Sequence, residues 1–312
     1  MFVRFFLLIC SAVLLAGCTH SPQKQAMPSY HSSKLHHQMP DFTRVYVEGV
    51  LNVTLRTGYA HPQVVLKGSP DDLAHVVIGV TNGTLRVILG RGYPKHGGVQ
   101  VEIDSRYLNA FEYHGTGVIV GKHLRTRLLD LVIDNQGSTT LKGTLGVRKL
   151  QLSGAGAVEI NGINSPALQV KLTGKSHVKL GGFANLSSLD LNNDSWVSMY
   201  WVKSKALTIR GHGRTFIQLA GIAEHLDVEL WDNAHFNGRY LRAERSFVKT
   251  HGKSVAEIAA VKRQHTLATD TSDILFYNIP VMKADFMAYN GAVLDMRDLS
   301  QPFIQEYDQY NK

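Results

Sequence analysis

Leu168-Gln169-Val170-Lys171-Leu172-Thr173-Gly174-Lys175-Ser176-His177-Val178-Lys179-Leu180 alternates apolar and polar residues on both sides of a short polar break. A period of two sends successive side chains to opposite faces of a strand. The stretch therefore reads as two short strands, each with one buried face, joined by a tight bend. A unit this small cannot bury its apolar face alone. It needs copies of itself above and below.

The sequence supplies the copies. An apolar residue ahead of the bend recurs as Tyr113, Ile133, Leu152, Leu172, Leu191, Ile209, Val228, Val248, Leu267 and Phe286, at intervals of 18 to 20 residues. Four positions later stand Gly117, Gly137, Gly156, Ser176, Ser195, Gly213, Asp232, Gly252, Thr271 and Asn290, all small or turn-prone. Eight positions later stand Gly121, Leu141, Ile160, Leu180, Met199, Ile217, Phe236, Ala256, Leu275 and Leu294, again mostly apolar. A sharp turn at one place in every coil accounts for the small row, because Gly reaches positive φ without cost and Asn and Asp tolerate it. A period near 19 is too short for a propeller blade or a helical hairpin. The expectation is an all-β chain: a single-stranded parallel β-helix of about ten coils over residues 108–297, with strands of successive coils ~4.8 Å apart.

The flanks read differently. Val45-Tyr46-Val47, Leu51 to Leu55, Val64-Val65-Leu66, Leu85 to Leu89 and Val99 to Ile103 are strand-like, with Asn82-Gly83 as a hairpin turn. Residues 41–107 are expected to cap and pair with the first coil, since open strand edges invite aggregation. The polar tail 298–312 is expected to cover the other end. Residues 18–40, with Pro22, Pro28, Pro40 and four histidines, read as a flexible tether.

Ahead of the tether, Arg4 precedes an apolar run from Phe5 to Leu15, and Ala16-Gly17 sit directly before Cys18. A run of that length is too short to span a bilayer and suits a signal peptide over 1–17. Leu15-Ala16-Gly17-Cys18 resembles a bacterial lipobox. The resemblance implies cleavage before Cys18, a lipid on its thiol and an acyl chain, such as palmitate, on its amino group. Thr19 in place of Asp implies the outer membrane, with the domain periplasmic or surface-exposed. Cys10 falls in the removed part, so the mature chain has no disulfide.

Val45-Tyr46-Val47-Glu48-Gly49-Val50-Leu51-Asn52-Val53-Thr54-Leu55, then Asn82 to Val87, then turns such as Ser153-Gly154-Ala155-Gly156 resemble the bacterial head GIN domain, the family of autotransporter adhesin heads, over about residues 42–297. A small residue framed by glycines recurs in His114-Gly115-Thr116-Gly117 and fades to Asn193-Asp194-Ser195 and Asp232-Asn233. The resemblance implies a β-helix fold. It brings no established catalytic residues, cofactor or ligand.

A β-helix also carries polysaccharide lyases and hydrolases, so the outward faces need inspection. Asp194, His212, Trp231, His251 and Asp270 are expected to lie outward on successive coils, beside Arg210, Glu229 and Lys249. Two coils separate His212 from His251, about 10 Å, which is long for one metal ion. Asp194 and Asp270 stand four coils apart, beyond the separations used in glycoside hydrolysis. No metal, cofactor or catalytic residue is indicated. Trp196, Tyr200, Phe216 and Trp231 form the expected binding surface, since exposed aromatics on a rigid sheet suit sugar rings or a protein partner. The net charge of +8 is spread along the chain with no dense run. It admits lipopolysaccharide as a partner and gives no reason to invoke nucleic acid. The sequence reading is thus a non-catalytic, lipid-anchored envelope protein, adhesin-like, that binds a glycan or protein; a carbohydrate-active enzyme and a purely structural protein are the alternatives.

Overall fold

The structure is a computed structural model that describes residues 32–277 and 281–296. Cys18, the signal segment, most of the tether and the tail 298–312 lie outside the described residues. The end of the tether does not: Ser33–Gln38, read from the sequence as flexible, is a strand (β1).

The chain then builds its first rungs out of order. Strands β2 (Arg44–Gly49) and β3 (Leu51–Thr57) form one coil. Strand β4 (Gln63–Gly68), the short helix α1 (Pro70–Leu73) and β5 (Val76–Thr81) lead to a second coil, β6 (Thr84–Leu89) and β7 (Val99–Ser105). The chain returns through β8 (Ala110–Gly115) into β9 (Ile119–Asn135). β2 pairs in parallel with both β6 and β8, and β3 with both β7 and β9. The coil that comes first in the chain is therefore sandwiched between the second and the third. Antiparallel strands close the outer side: β5 pairs with β6, β4 with β7 and β1 with β4. The β3–β4–β7 edge is pinned by charge, with Asp104 fully buried and gripped by Arg56 at 2.6 Å and Gln63 at 2.7 Å.

From β9 on, each coil is nearly one continuous strand: β10 (Thr139–Gly154), β11 (Ala157–Leu172), β12 (His177–Asn193), β13 (Trp196–Gly213), β14 (Phe216–Leu230), β15 (His235–Thr250) and β16 (Val255–Thr269), all in parallel register. β17 (Asp273–Phe276), β18 (Lys283–Tyr289) and β19 (Ala292–Asp295) complete the stack.

The ladder corrects the register expected from the sequence. Tyr113, Ile133, Leu152, Leu172 and Leu191 do lie on one column, but it continues as Gly211, Leu230, Thr250, Ala268 and Ala288. Ile209, Val228 and Val248 belong to the inward column two residues earlier, whereas Leu267 pairs with Lys249 on the outward face. The slip starts where the column carries Gly211 in place of a large apolar residue, and the last coils sustain it by burying Ser246, Thr250, Gln264, Thr266 and Ser272. A search for apolar residues steps past them.

The small row splits in the same way. Positive φ falls at Gly174, Asn193, Gly213, Asp232, Gly252 and Asp270. Ser176 and Ser195 instead stand two places later, where the hydroxyl donates back across the turn, to the Thr173 carbonyl at 3.1 Å and the Asn192 carbonyl at 3.0 Å. Ser254 and Ser272 do the same to His251 and Thr269 at 2.8 and 2.6 Å.

Each coil also has more sides than the two strands expected. In β12, Val178 and Leu180, then Ala184 and Leu186, then Leu189 and Leu191 are buried, so alternation restarts twice. The chain bends between these pairs, giving three short sides. The first bend carries a second column of positive φ: His123, Gly143, Gly162, Gly182, Trp201 and Gly221. At Gly162 (φ +88°) a Cβ would sit 1.8 Å from the Gly143 carbonyl oxygen of the coil below. No side chain fits there. Gly162→Ala is expected to lower stability by roughly 3 kcal/mol or more, against about 1 kcal/mol for Gly83→Ala, whose φ is +69° but whose Cβ would meet nothing. Urea unfolding of the two variants checks this, and similar midpoints would refute the close approach.

Candidate functional site

Three outward sides per coil give several columns of stacked side chains, and the sequence-predicted site residues distribute among them. Trp196 and Phe216 begin the first side of their coils, in register with each other. They belong to a ring stack that runs His177, Trp196, Phe216, His235, with centroid separations of 4.0, 6.3 and 5.1 Å. Trp231 lies across the turn, in a second stack between His212 at 3.9 Å and His251 at 5.7 Å. Tyr200 sits at the next bend. The four aromatics do not form one surface. Ladder spacing is close to the thickness of stacked rings, so Trp196 and Trp231 cover their neighbours and are covered by them.

The polar strip resolves into turn staples. Asp194 holds Arg214 through two bonds of 2.8 and 2.9 Å, and that guanidinium keeps its carboxyl below the usual carboxylate range. Asp270 accepts the Gly252 N–H at 2.9 Å, tying one turn to the turn beneath, and Asp232 does the same for Gly213. His251 Nδ1 shares a 2.8 Å hydrogen bond with Thr269 Oγ1. Arg210, Glu229 and Lys249 are a separate column in register, between Asp190 and Leu267. No two carboxylates of the strip converge. Among the described residues no group of three or more His, Cys, Asp or Glu could hold a metal ion.

The most enclosed charge of the first side is Glu257, which is 5% exposed. Burial alone pushes its carboxyl up. A 3.0 Å hydrogen bond with His235 Nε2 and the charge of Arg239, whose Nε donates at 2.7 Å, outweigh burial and hold it below the ordinary value. The His235 ring, tilted against Phe216, is thereby anchored at its free edge.

A different group of aromatics is open. Phe183 is 53% exposed, Tyr200 47%, Trp201 69% and Ile222 51%, all at the second column of bends in β12, β13 and β14. Trp201 occupies the positive-φ column at φ +66°, where the coils on both sides have Gly182 and Gly221. A bulky side chain in that conformation is strained by about 1–3 kcal/mol. The indole is largely open to solvent, and it has no ring partner among the described residues. Beside it runs a shallow groove of about 560 Å³, lined by Pro166, Lys203, Ile222, Arg242 and Val261. Trp201 was missed because alternation alone does not mark a bend inside a strand. The row Gly143, Gly162, Gly182, Gly221 was the available signal, with Trp201 filling its gap.

With this geometry in hand, family comparison is decisive on one point. A family model described as "Putative auto-transporter adhesin, head GIN domain" matches residues 41–214 and again 146–280. The chain belongs to the head GIN domain family. The two overlapping matches within this head GIN domain fit a stack of repeats. Three crystal structures are similar to it. A "putative adhesin" from Parabacteroides merdae is 15% identical and covers 85% of this chain and 95% of its own, with TM-score 0.43. A "putative adhesin" from Parabacteroides distasonis is 12% identical over 85% and 98%, TM-score 0.48. A "putative lipid binding protein" from the same species is 11% identical over 86% and 97%, TM-score 0.47. No curated protein matches the chain.

The Glu257 arrangement sets an acid limit. A carboxyl depressed in the folded state contributes stability above its unfolded value of about 4.3, and that contribution is lost as pH falls through the lower folded value. Glu257→Gln is expected to lower stability by roughly 1–3 kcal/mol at neutral pH and to flatten the decline below about pH 4.3. Urea midpoints across the acid range read this. Parallel pH profiles for variant and wild type would remove Glu257 from the account.

Proposed function

We propose that this head GIN domain is a non-catalytic, adhesin-like binding module, held to the bacterial envelope by a lipid on Cys18 and engaging a glycan or protein partner through the ledge at the second bend. The observation that carries the reading is Trp201. An exposed indole retained in a strained backbone conformation, in a column where four of the six positions are glycine, is a poor choice for folding and a good one for contact. Phe183, Tyr200 and Ile222 extend the apolar area, and Lys203 and Arg242 rim it. The enzyme reading lacks a comparable observation: Asp194, Asp232 and Asp270 are each committed to a turn or to an arginine. The anchor reading rests on Leu15-Ala16-Gly17-Cys18. With several acyl chains on one residue, attachment is stable rather than marginal.

Trp201→Gly separates folding from binding. Glycine relieves the strain, so the variant is expected to melt at the wild-type temperature or above it, while attachment of the purified domain to target cells falls about tenfold. Wild-type attachment would refute the ledge. For the anchor, Cys18→Ala is expected to move the protein out of the membrane fraction. Protease or antibody access on intact cells then reads surface display, and protection until the outer membrane is breached would redirect the search to periplasmic partners.

A further inference from the structure

Two columns on the third side of the coils behave differently. Lys171, Asp190, Arg210, Glu229 and Lys249 follow one another in register with alternating sign. That is the favourable arrangement for charges on neighbouring strands, since like charges directly opposite destabilise a sheet. Four residues nearer the bend, His225 pairs with Arg245, Arg245 with Arg263 and Arg263 with Lys283. This column has three permanent cations and a histidine, one per coil, with no acidic residue among them. All four are exposed. Arg245, Arg263 and Lys283 make no ion pair with a described carboxylate. Two of the acids nearby are engaged, Glu244 by Lys262 at 2.7 Å and Asp285 by His265 at 2.9 Å; Asp227 stands one column away, beside Phe247. Folding alone does not explain a like-charge ladder beside an alternating one.

The column borders a shallow groove of about 570 Å³, lined by His225, Asp227, Arg245, Phe247, Arg263 and His265. Phe247 is in the adjacent outward column, between Asp227 and His265. Its ring is 43% exposed, with Lys249 Nζ 5.0 Å from the centroid. The groove therefore joins a row of cations, spaced about 4.8 Å by the ladder, to an aromatic ring about two residues along the strand.

We propose that this ladder binds a linear acidic polysaccharide, with sugar carboxylates on Arg245, Arg263 and Lys283 and a sugar ring against Phe247. The proposal deepens the binding function above by naming a ligand class at a second face. The fit is one of repeat and chemistry. A uronate chain offers one carboxylate per ring at a short, regular spacing. Arginine grips a carboxylate through two parallel bonds, and aromatic faces receive sugar rings. The flat lie of cations along a groove also suits an extended chain better than a single anion.

The test uses the mature chain and a defined oligo-uronate long enough to cross four coils, with its neutral methyl ester, single-stranded DNA and anionic phospholipid vesicles as competitors. Binding is followed by calorimetry at several salt concentrations. The oligo-uronate is expected to bind, to weaken as salt rises, and to lose about a hundredfold in affinity with Arg245→Gln plus Arg263→Gln. The same charge change at Lys122→Gln plus Arg127→Gln is expected to leave affinity intact. Removing two opposed like charges is expected to raise the melting temperature, so lost binding would not reflect unfolding. Equal binding of the methyl ester, equal loss in the distant double variant, or tighter binding of DNA or vesicles would each overturn the assignment. Trp201→Gly keeps this proposal distinct from the ledge: unaltered oligo-uronate affinity alongside lost cell attachment supports two faces. Wild-type cell attachment by that variant would sink the ledge and leave the ladder standing.

Discussion

Everything in this fold is subordinate to the closeness of one coil to the next at the bends. Along the sides, parallel backbone hydrogen bonds keep neighbours a strand spacing apart, which leaves room for side chains. At the bends the carbonyl of one coil points at the α-carbon of the next. A Cβ at Gly143, Gly162, Gly182 or Gly221 would lie about 2 Å from a carbonyl oxygen below, inside any contact distance. The bends therefore select glycine for space as well as for φ, in the coils of β10, β11, β12 and β14. Side chains are displaced to the sides, where they stack on their own kind of position. The rings of His177, Trp196 and Phe216, the turn-closing serines and the two charge columns follow from this single spacing.

The constraint also sorts which residues are available for contact. Where a column on a side is made of rings, each meets the ring above and the ring below, and its faces are used up. Trp196 and Trp231 look like binding residues by type, yet they serve as cladding. At the bend Phe183, Tyr200 and Trp201 keep their exposure. The exposed surface of this family member is thus set by position within the coil more than by residue type.

Most of the fold was legible because period-two alternation survives in every coil and the interval hardly varies. The strand regions, the parallel stacking and the resemblance to the head GIN domain all rest on it. The register was legible only to Leu191. Beyond it the column carries Gly211, and two coils later the core accepts Thr250, Gln264 and Thr266, so a pattern built on apolar residues slips to the next column. The second bend was not legible from alternation, because it shifts the phase inside a strand that looks continuous. The reversed order of the first coils was not legible either: β2 and β3 pair with partners about 40 to 70 residues away on both edges, and nothing local marks that. The bonds within the polar strip were not legible either, for a physical reason. Aspartates beside a turn bond the nearest backbone N–H, as Asp232 and Asp270 do, before they are free to act together.

The inverted order of the first two coils gives the stack a direction. By Ser105 the chain has laid down two coils and sealed the outer edge with antiparallel strands β1, β4 and β5. Only the edge facing β8 remains open, so further coils add on one side alone. A chain delivered amino-terminus first can thus extend a finished template, one rung at a time. Repeat units gained or lost would change the length of the stack without disturbing the sealed end, and would slide the outward faces of the last coils farther from, or closer to, the antiparallel cap.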